Sequence, residues 1–169
     1  TRGRIPVSSV DAAYMIDKTT GYIKLNKFTE NSYEEFMQAM ENLLKQGMQS
    51  LIYDLRGNGG GFMNEAVDMA DEFLDGDKLI VYTAGVNNKK KEYRCKRPGL
   101  FEKGKLVLLV DELSASASEV LAGALQDWCR ATIIGRRTFG KGLVQEQYPL
   151  SDGSAIRLTV ARYYSPLGR

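Results

Sequence analysis

The stretch Lys105–Val110 constrains the fold of this chain more than any other part of the sequence. After one lysine, all of its residues are leucine or valine, so apolar and polar residues do not alternate. That pattern is typical of a strand that is buried on both faces, as in the parallel sheets of α/β proteins. The run therefore predicts a central strand in a layered sheet.

The segments around this run agree with an α/β layer fold. Further strands are predicted at residues 4–10, 14–16, 21–28, 50–55, 78–83, 91–95 and 131–135, and a hairpin at 143–150 and 154–164 turns at Asp152-Gly153. Helices are predicted from a capping box at Ser32 to Glu35 as far as Gly47, from Met63 to Gly76, and over residues 114–128. This order of elements predicts a largely parallel central sheet.

Length and charge exclude several classes of protein. The 169 residues suffice for one globular domain with a sizeable core and are too few for two full ones. A net charge of +2 gives no reason to expect nucleic acid as a partner. No apolar stretch approaches the roughly 20 residues that a membrane-spanning helix needs.

Cys95 and Cys129 do not form a CxxC pair, so two free or buried thiols are expected, with a disulfide as the alternative.

The absence of histidine limits the chemistry that this chain can perform. With no histidine at all, a Ser-His-Asp or Cys-His arrangement within the chain is impossible. Zinc sites of the usual histidine-rich kinds are excluded as well, and we expect no metal and no cofactor. A general base that works near neutral pH must therefore be Lys, Asp, Glu or Tyr with a shifted pKa.

Three unusual loops each follow a predicted buried strand. In open α/β sheets, ligands bind beyond the carboxyl ends of the strands. The first loop, Ser114-Ala115-Ser116-Ala117-Ser118-Glu119, opens a predicted helix. A serine there has free backbone N–H groups and the positive end of the helix dipole nearby, which would stabilise an oxyanion. On this motif alone a structural cap is the stronger alternative, because Ser116 to Glu119 is also a capping box.

The second loop, Gly135-Arg136-Arg137-Thr138-Phe139-Gly140-Lys141-Gly142, is one residue away from a phosphate-binding loop. That motif needs Ser or Thr after the lysine and a helix behind it, whereas Gly142 and a strand-like segment follow here. The functional alternative is a lysine whose apolar surroundings lower its pKa, so that Lys141 serves as a general base. A surface lysine in a glycine-rich turn remains equally open on this loop alone.

The third loop, Arg56-Gly57-Asn58-Gly59-Gly60-Gly61, follows the strand predicted at residues 50–55. Its glycines allow positive φ angles and a close approach of the backbone to a ligand. Successive N–H groups in such a loop can bind an anion, which suits an oxyanion hole. A plain tight turn is the commoner use of such a run.

Together the three loops resemble the carboxy-terminal processing peptidases, also called tail-specific proteases, of the serine–lysine type. The matching stretches are residues 21–25, 54–61, 114–119 with 121–125, 138–142 with Val144-Gln145, Asp152-Gly153 and 165–168. They occur in order and nearly from end to end. The resemblance implies an α/β core of the crotonase-like or Clp-protease-like kind, in agreement with the order of elements.

The resemblance also implies roles for individual residues. It assigns the nucleophile to Ser116, the general base to Lys141 and a supporting role to Gln145, which we expect on the same strand face as Lys141. Glu119 is expected to contribute secondarily to the site or to cap its helix. The N–H of Ala117 and one N–H of the pair Gly59 and Gly60 are expected to form the oxyanion hole.

Activity, partners and location follow from the same resemblance as expectations. Residues 1–169 are expected to be an isolated catalytic core, with a PDZ domain and a C-terminal continuation outside it. The expected activity is endoproteolysis of protein or peptide substrates near their C-terminal tails, in the periplasm or cell envelope, and a homo-oligomer remains open. The alternatives are a non-hydrolytic peptide-binding relative and a nucleotide-binding protein that uses Gly135 to Lys141.

Overall fold

The strand predicted at residues 105–110 lies inside a five-stranded sheet of the computed structural model, which describes residues 8–169. The strands in chain order are β1 (Val10–Met15), β2 (Thr20–Leu25), β3 (Ser50–Asp54), β4 (Leu79–Ala84), β5 (Lys91–Arg94), β6 (Lys105–Val110), β7 (Thr132–Gly135), β8 (Leu143–Pro149) and β9 (Ala155–Tyr164). The helices are α1 (Ser32–Lys45), α2 (Met63–Asp71) and α3 (Ala117–Asp127).

The first sheet has the order β1-β2-β3-β6-β7. Strands β2, β3, β6 and β7 are mutually parallel, and only β1 runs antiparallel at the edge. The second sheet, β5-β4-β9-β8, is antiparallel throughout. The predicted α/β class with a largely parallel central sheet is confirmed. Within residues 8–169, no helix combines the length and the apolar character that crossing a membrane requires.

The hydrophobic core lies on one face of the parallel sheet. Tyr53 of β3 and Leu108 of β6 are register partners and are fully buried. Phe36 of α1 stacks on Tyr53 with ring centroids 5.3 Å apart, and Phe73, just beyond α2, meets Phe36 edge-on at 5.7 Å. On the other face of β6, Val107 is only partly buried. The expectation of a strand buried on both faces therefore holds for one face, the one on which these aromatic rings pack.

The amino-terminal part of the sequence differs most from its prediction. The strands predicted at residues 4–10 and 14–16 are replaced by one strand, Val10–Met15, and residues 4–7 lie outside the described part. The capping box predicted at Ser32 to Glu35 is wrong. Glu35 Oε2 instead accepts the N–H groups of Ser9 and Val10, and the Ser32 hydroxyl contacts that of Ser9 at 3.0 Å. Both side chains thus fix the entry into β1, and Asn31 stands at the helix N-cap without a side-chain hydrogen bond.

Two helices are shorter than predicted. The second ends at Asp71 and not near Gly76, since the following carbonyls turn to other partners: the N–H of Phe101 donates to Glu72 O at 2.9 Å, and Arg130 Nε donates to Phe73 O at 2.9 Å. The third begins only at Ala117, because the residues before it form a turn that carries the candidate nucleophile.

The hairpin predicted near the C-terminal end of the chain is present as β8 and β9. Its turn is closed by hydrogen bonds from Leu150 N to Ser154 O at 2.7 Å and from Gly153 N to Leu150 O at 3.1 Å. The register shifts between Val144 and Gln145, where Val160 of β9 is left without a partner, as in a β-bulge. In the part of the chain that the structure describes, β8 is an edge strand of its sheet.

The carboxyl ends of β3, β6 and β7 lie side by side, and the three singled-out loops meet there. Gly57 N donates to Asp111 Oδ1 at 2.9 Å, which joins the glycine loop to the turn after β6. Phe139 N donates to Ser114 O at 3.0 Å, which joins the lysine loop to the same turn. The convergence expected for loops at the carboxyl ends of parallel strands is therefore present.

Candidate active site

Ser116 occupies a strained turn between β6 and α3. Its φ of 58° and ψ of −112° lie in a region that residues other than glycine rarely adopt. Such a conformation costs on the order of 1–3 kcal/mol and is found mostly at functional sites. A sharp, strained turn immediately before a helix also exposes the nucleophilic serine in α/β hydrolases.

The start of α3 leaves one backbone donor beside Ser116. The N–H of Ser118 donates to Ala115 O at 3.2 Å, and the N–H groups of Glu119 and Val120 donate to Ser116 O at 2.9 and 3.0 Å. For the N–H of Ala117 the described residues offer no acceptor. This N–H, at the positive end of the helix dipole, is therefore available to an oxyanion.

The glycine loop packs directly against the turn at Ser116. Gly60 has a φ of +93°, and a Cβ on it would lie 2.5 Å from Ala115 O and 2.8 Å from Ser116 Cβ. Only glycine fits here without displacing the turn. The N–H of Gly60 donates to Asn58 Oδ1 at 2.9 Å, so it is not free for an oxyanion. This geometry does not support Gly60 as a donor.

Two glycines on either side of Gly60 remain as candidate donors. Gly59, the other predicted residue, is exposed, and a Cβ on it would meet no atom within 4 Å. Gly61 pairs with Phe28 in an isolated parallel bridge and lines the same cavity as Ser116 and Lys141. The N–H of Gly61 has no acceptor among residues 8–169.

Asn58 holds the glycine loop against the turn and was not singled out in the sequence. It is fully buried, and its Nδ2 donates to Leu25 O at 2.9 Å. Its backbone carbonyl accepts the N–H of Ala115 at 3.0 Å and the Ser118 hydroxyl at 2.9 Å. The signal was present, since asparagine within a glycine run often bonds the backbone two residues on, as Asn58 bonds Gly60.

Glu119 ties the turn at Ser116 to the lysine loop. Its Oε2 accepts the backbone N–H groups of Ser116 and Lys141, both at 2.8 Å. Its Oε1 accepts the Thr138 hydroxyl at 2.8 Å and the N–H of Gly140 at 2.6 Å. The expected helix-capping contact is present, and the same carboxylate also fixes the loop that carries Lys141.

Ser116, Lys141 and Gln145 line one cavity of about 540 Å³. Within the described part of the chain, no hydrogen bond joins Lys141 Nζ to Ser116 Oγ or Lys141 to Gln145. Lys141 and Gln145 face the same cavity, but they do not lie on one strand as expected. Lys141 precedes β8, which begins at Leu143, and the register shift lies between Val144 and Gln145.

Tyr163 of β9 is a second residue that the sequence analysis missed. It lines the cavity of about 540 Å³ with Ser116 and Lys141, and also a neighbouring cavity of about 320 Å³ that the same two residues border. Its N–H donates to Gly142 O at 2.9 Å, next to Lys141. Burial raises the pKa of Tyr163, although the Ser116 side chain lowers it in part. A phenol that stays protonated therefore faces the candidate nucleophile.

The serines on either side of Ser116 have structural hydrogen bonds. Ser114 Oγ donates to Leu55 O at 2.8 Å, and Ser118 Oγ donates to Asn58 O at 2.9 Å. Both side chains are fully buried. Ser116 borders both cavities at the site, and neither Ser114 nor Ser118 lines either of them.

A buried carboxylate anchors the base of the glycine loop. Asp54 accepts hydrogen bonds from Arg56 N at 2.9 Å, from Arg56 Nη2 at 2.6 Å and from the Tyr22 hydroxyl at 2.6 Å. Burial alone would raise the pKa of Asp54, but the hydrogen bonds from Arg56 and Tyr22 outweigh it and lower that pKa to about 2.

Nucleotide and metal chemistry find little support in this geometry. Lys141 is followed by the strand β8, so its loop lacks the helix N-terminus that holds phosphate in a phosphate-binding loop. Across residues 8–169 there is no group of three or more Cys, Asp or Glu side chains that could hold a metal ion.

Comparison with known proteins gives a consistent result. The model of "Peptidase family S41" matches residues 19–169. A carboxyl-terminal-processing protease of Synechocystis is 42% identical over 170 residues, covering 98% of this chain and 39% of the relative. The chloroplastic carboxyl-terminal-processing peptidase 3 of Arabidopsis thaliana is 44% identical, and the match covers 87% of this chain and 28% of that relative. The carboxy-terminal processing protease CtpA of Bacillus subtilis is 36% identical, and the match covers 99% of this chain and 35% of that relative.

Solved structures agree with these relatives. The photosystem II D1 C-terminal processing protease superposes with a TM-score of 0.80 at 40% identity, covering 96% of this chain and 43% of that protein. The tricorn protease, at 20% identity and a TM-score of 0.57, shares the fold over 85% of this chain and 13% of its own. The Clp-protease-like core predicted from the sequence is confirmed. The chain spans less than half the length of each of these proteins.

Proposed function

The chain belongs to peptidase family S41, and from that premise we propose that it is the core of a serine endopeptidase with Ser116 as nucleophile and Lys141 as general base. The observation that carries the proposal is the strained backbone of Ser116, which stands before α3 beside the free N–H of Ala117. Backbone strain of this kind costs free energy, persists only where the surrounding structure enforces it, and clusters at active sites.

The first half of the reaction forms an acyl-enzyme. The neutral amine of Lys141 takes the proton of Ser116 Oγ while that oxygen attacks the carbonyl carbon of the scissile peptide bond. The oxyanion that forms accepts hydrogen bonds from the N–H of Ala117 and from a glycine N–H, for which Gly61 and Gly59 are the candidates. The Lys141 ammonium then gives its proton to the leaving amine, and the carbon–nitrogen bond breaks.

The second half returns the enzyme to its starting state. Lys141, now neutral, takes a proton from a water molecule that attacks the ester carbonyl of acylated Ser116. The second tetrahedral intermediate collapses, the carboxylic acid product leaves, and Ser116 regains its proton from Lys141. Gln145, which borders the same cavity, orients the amine of Lys141 once substrate fills the cavity.

Substrate, partners and location are proposed from the relatives of this chain. The relatives are named as carboxyl-terminal-processing proteases, and they support protein or peptide chains cleaved near their C-terminal tails as substrates. A PDZ domain in the full-length protein, assembly into a homo-oligomer and a location in the periplasm or cell envelope stay proposals of the same kind. Fractionation of cells that express the full-length protein tests the location.

A fluorophosphonate probe and a peptidase assay test the proposed dyad. Ser116→Ala should abolish both labelling and peptide hydrolysis, and Lys141→Ala should abolish hydrolysis. Because both residues act in one step, the double variant should be no slower than either single variant. Ser114→Ala and Ser118→Ala are matched controls, which should keep labelling and hydrolysis at temperatures where they stay folded. Labelling at another serine would mean that Ser116 is not the nucleophile, and a full-length protein that shows neither labelling nor hydrolysis would be a non-hydrolytic relative.

A further inference from the structure

The cavity of about 540 Å³ at Ser116 continues as a groove along the β8–β9 hairpin, which we call the β8 groove. It is lined by the segment around Lys27, by the end of the glycine loop and by residues of β8 and β9. Gln145 and Gln147 of β8 line it, as does Arg157 of β9. The groove therefore leads from the proposed nucleophile along an edge strand.

The charges in this groove are all of one sign. Lys27, Lys141 and Arg157 line it, and no Asp or Glu does. Side chains alternate along a strand, and Glu146, between the two glutamines, accepts a hydrogen bond from the Tyr148 hydroxyl at 2.6 Å and does not line the groove. The strand thus presents neutral amides to the groove and keeps its one carboxylate out of it.

Lys27 and Arg157 are exposed and have no ion-pair partner in the part of the chain that the structure describes. Among the described residues, the one hydrogen bond of the Arg157 side chain is the one it donates to Gln147 Oε1 at 3.4 Å. Most of the described arginines pair with a carboxylate: Arg56, Arg94, Arg97, Arg136 and Arg169. The two cations of the groove are therefore free to bind an external anion.

The shape of the groove suits an extended chain. An edge strand presents backbone N–H and C=O groups that no neighbouring strand uses, and an extended peptide can pair with them. We propose that the β8 groove binds substrate in extended form alongside β8, and that Lys27 and Arg157 bind a carboxylate of that peptide. This inference rests on the proposed peptidase function and adds a substrate class to it.

The register of the hairpin sets the position of that carboxylate. Arg157 pairs with Gln147, four residues along β8 from Leu143, the first strand residue after the lysine loop. A strand advances about 3.3 Å per residue, and an extended peptide alongside β8 advances at the same rate. The span from Leu143 to Gln147 therefore corresponds to about four residues of that peptide. We expect the carboxylate that matters to lie about four residues from the scissile bond.

A peptide series in the full-length protein tests the inference. The parent peptide is uncharged and amidated at its C-terminus, and single glutamates are placed from two to six residues on either side of the scissile bond. A separate arm carries a free C-terminal carboxylate in place of the glutamate. We expect kcat/KM to rise about tenfold for the best-placed carboxylate and the gain to shrink at high salt, as for exposed charge pairs. The two arms show which source of carboxylate the groove prefers.

Variants then connect the preference to the two cations. Lys27→Gln combined with Arg157→Gln should remove most of the gain from the carboxylate, whereas Lys105→Gln, at the opposite end of the parallel sheet, should keep it. Fluorescence anisotropy of the same labelled peptides on Ser116→Ala measures binding without turnover, so failure of the peptidase proposal does not hide the result. Equal binding of charged and neutral peptides, or a gain that survives the double substitution, would overturn the inference. Hydrolysis of the neutral peptide without any carboxylate gain would leave the proposed function standing alone.

Discussion

Glu119 and Lys141 are joined through the backbone: the N–H of Lys141 donates to Glu119 Oε2 at 2.8 Å, and the same oxygen accepts the N–H of Ser116 at 2.8 Å. One carboxylate oxygen thus sets the separation between the loop of the proposed base and the turn of the proposed nucleophile. Both oxygens of Glu119 accept hydrogen bonds from the protein, so this side chain positions the proposed nucleophile and the proposed base.

Glu119→Gln should lower kcat with little change in KM. The amide retains one acceptor oxygen and turns an N–H₂ group toward backbone donors, so about half of the four hydrogen bonds are lost. Charge-assisted hydrogen bonds contribute about 1.5–3 kcal/mol each, and with about half of the free energy of the two lost bonds expressed in the transition state, kcat should decrease roughly 10- to 100-fold. Steady-state kinetics on an unstructured peptide measure it.

Thr138→Val serves as the graded control for this prediction, since it removes one donor to the same carboxylate and leaves the other three. We expect a clearly smaller decrease in kcat. If Glu119→Gln changed only the unfolding temperature, or if both variants were equally slow, the positioning role would be wrong.

Gly60→Ala should impair both folding and activity, whereas Gly59→Ala should be neutral for folding. A Cβ at position 60 meets Ala115 O at 2.5 Å and Ser116 Cβ at 2.8 Å in a backbone with a φ of +93°, while a Cβ at position 59 meets nothing within 4 Å. We expect Gly60→Ala to cost at least about 1–2 kcal/mol of stability. Urea denaturation of the two variants side by side decides it, and equal stabilities would contradict the close approach.

Acid should weaken the fold through Asp54. The pKa of this carboxyl is lowered to about 2 in the folded protein, against about 3.9 in an unfolded chain. A depressed pKa stabilises the fold above the unfolded value, and the gain is lost as pH falls through the folded one. Between about pH 5 and pH 2 the wild type should therefore lose about 2 kcal/mol more than Asp54→Asn. Unfolding free energies measured across this range test it, and parallel pH curves would show that Asp54 is not responsible.

The two cysteines should differ sharply in reactivity. Cys129 is exposed and Cys95 is buried, and both are free thiols. Burial, with Asp71 beside the thiol, raises the pKa of Cys95 to about 12, so almost none of it is thiolate at neutral pH. Mass spectrometry after alkylation of the folded protein should find one label, at Cys129, and a second only after denaturation. Native Cys129→Ser should stay unlabelled, and rapid labelling of its Cys95 would mean that this part of the core opens easily.

The sequence predicted which loops meet, because that follows from a general property of parallel sheets. The loop of Ser116 and the loop of Lys141 follow neighbouring strands, and the carboxyl ends of parallel strands share one edge. Residue spacing could not reveal the backbone strain at Ser116, since a φ angle depends on what surrounds the turn. The local motif alone favoured a plain cap there, and the structure shows a cap and a strained turn at the same residue.

Other parts of the prediction failed because tertiary contacts replaced local patterns. Ser32 and Glu35 have the spacing of a capping box, yet both side chains bind the residues that lead into β1. Lys141 and Gln145 were expected on one strand face; both border one cavity, but Lys141 does so from the turn that Glu119 holds, ahead of the strand that begins at Leu143. The sequence also made the N–H of Gly60 a candidate donor for the oxyanion. In the structure this N–H donates to Asn58 Oδ1, a residue that the sequence pattern did not single out.

The start of α3 also has a mechanical consequence. Ser116, Ala117 and Glu119 belong to one rigid helix end, and Lys141 is fastened to it through Glu119. A force that shifts α3 would move the proposed nucleophile, oxyanion donor and base together and leave the distances between them unchanged. The glycine loop is the separate part, held to this body chiefly by Asn58 and Asp111. An inhibitor or regulator that binds at a distance would therefore reduce the proposed activity most easily by shifting the glycine loop relative to the start of α3.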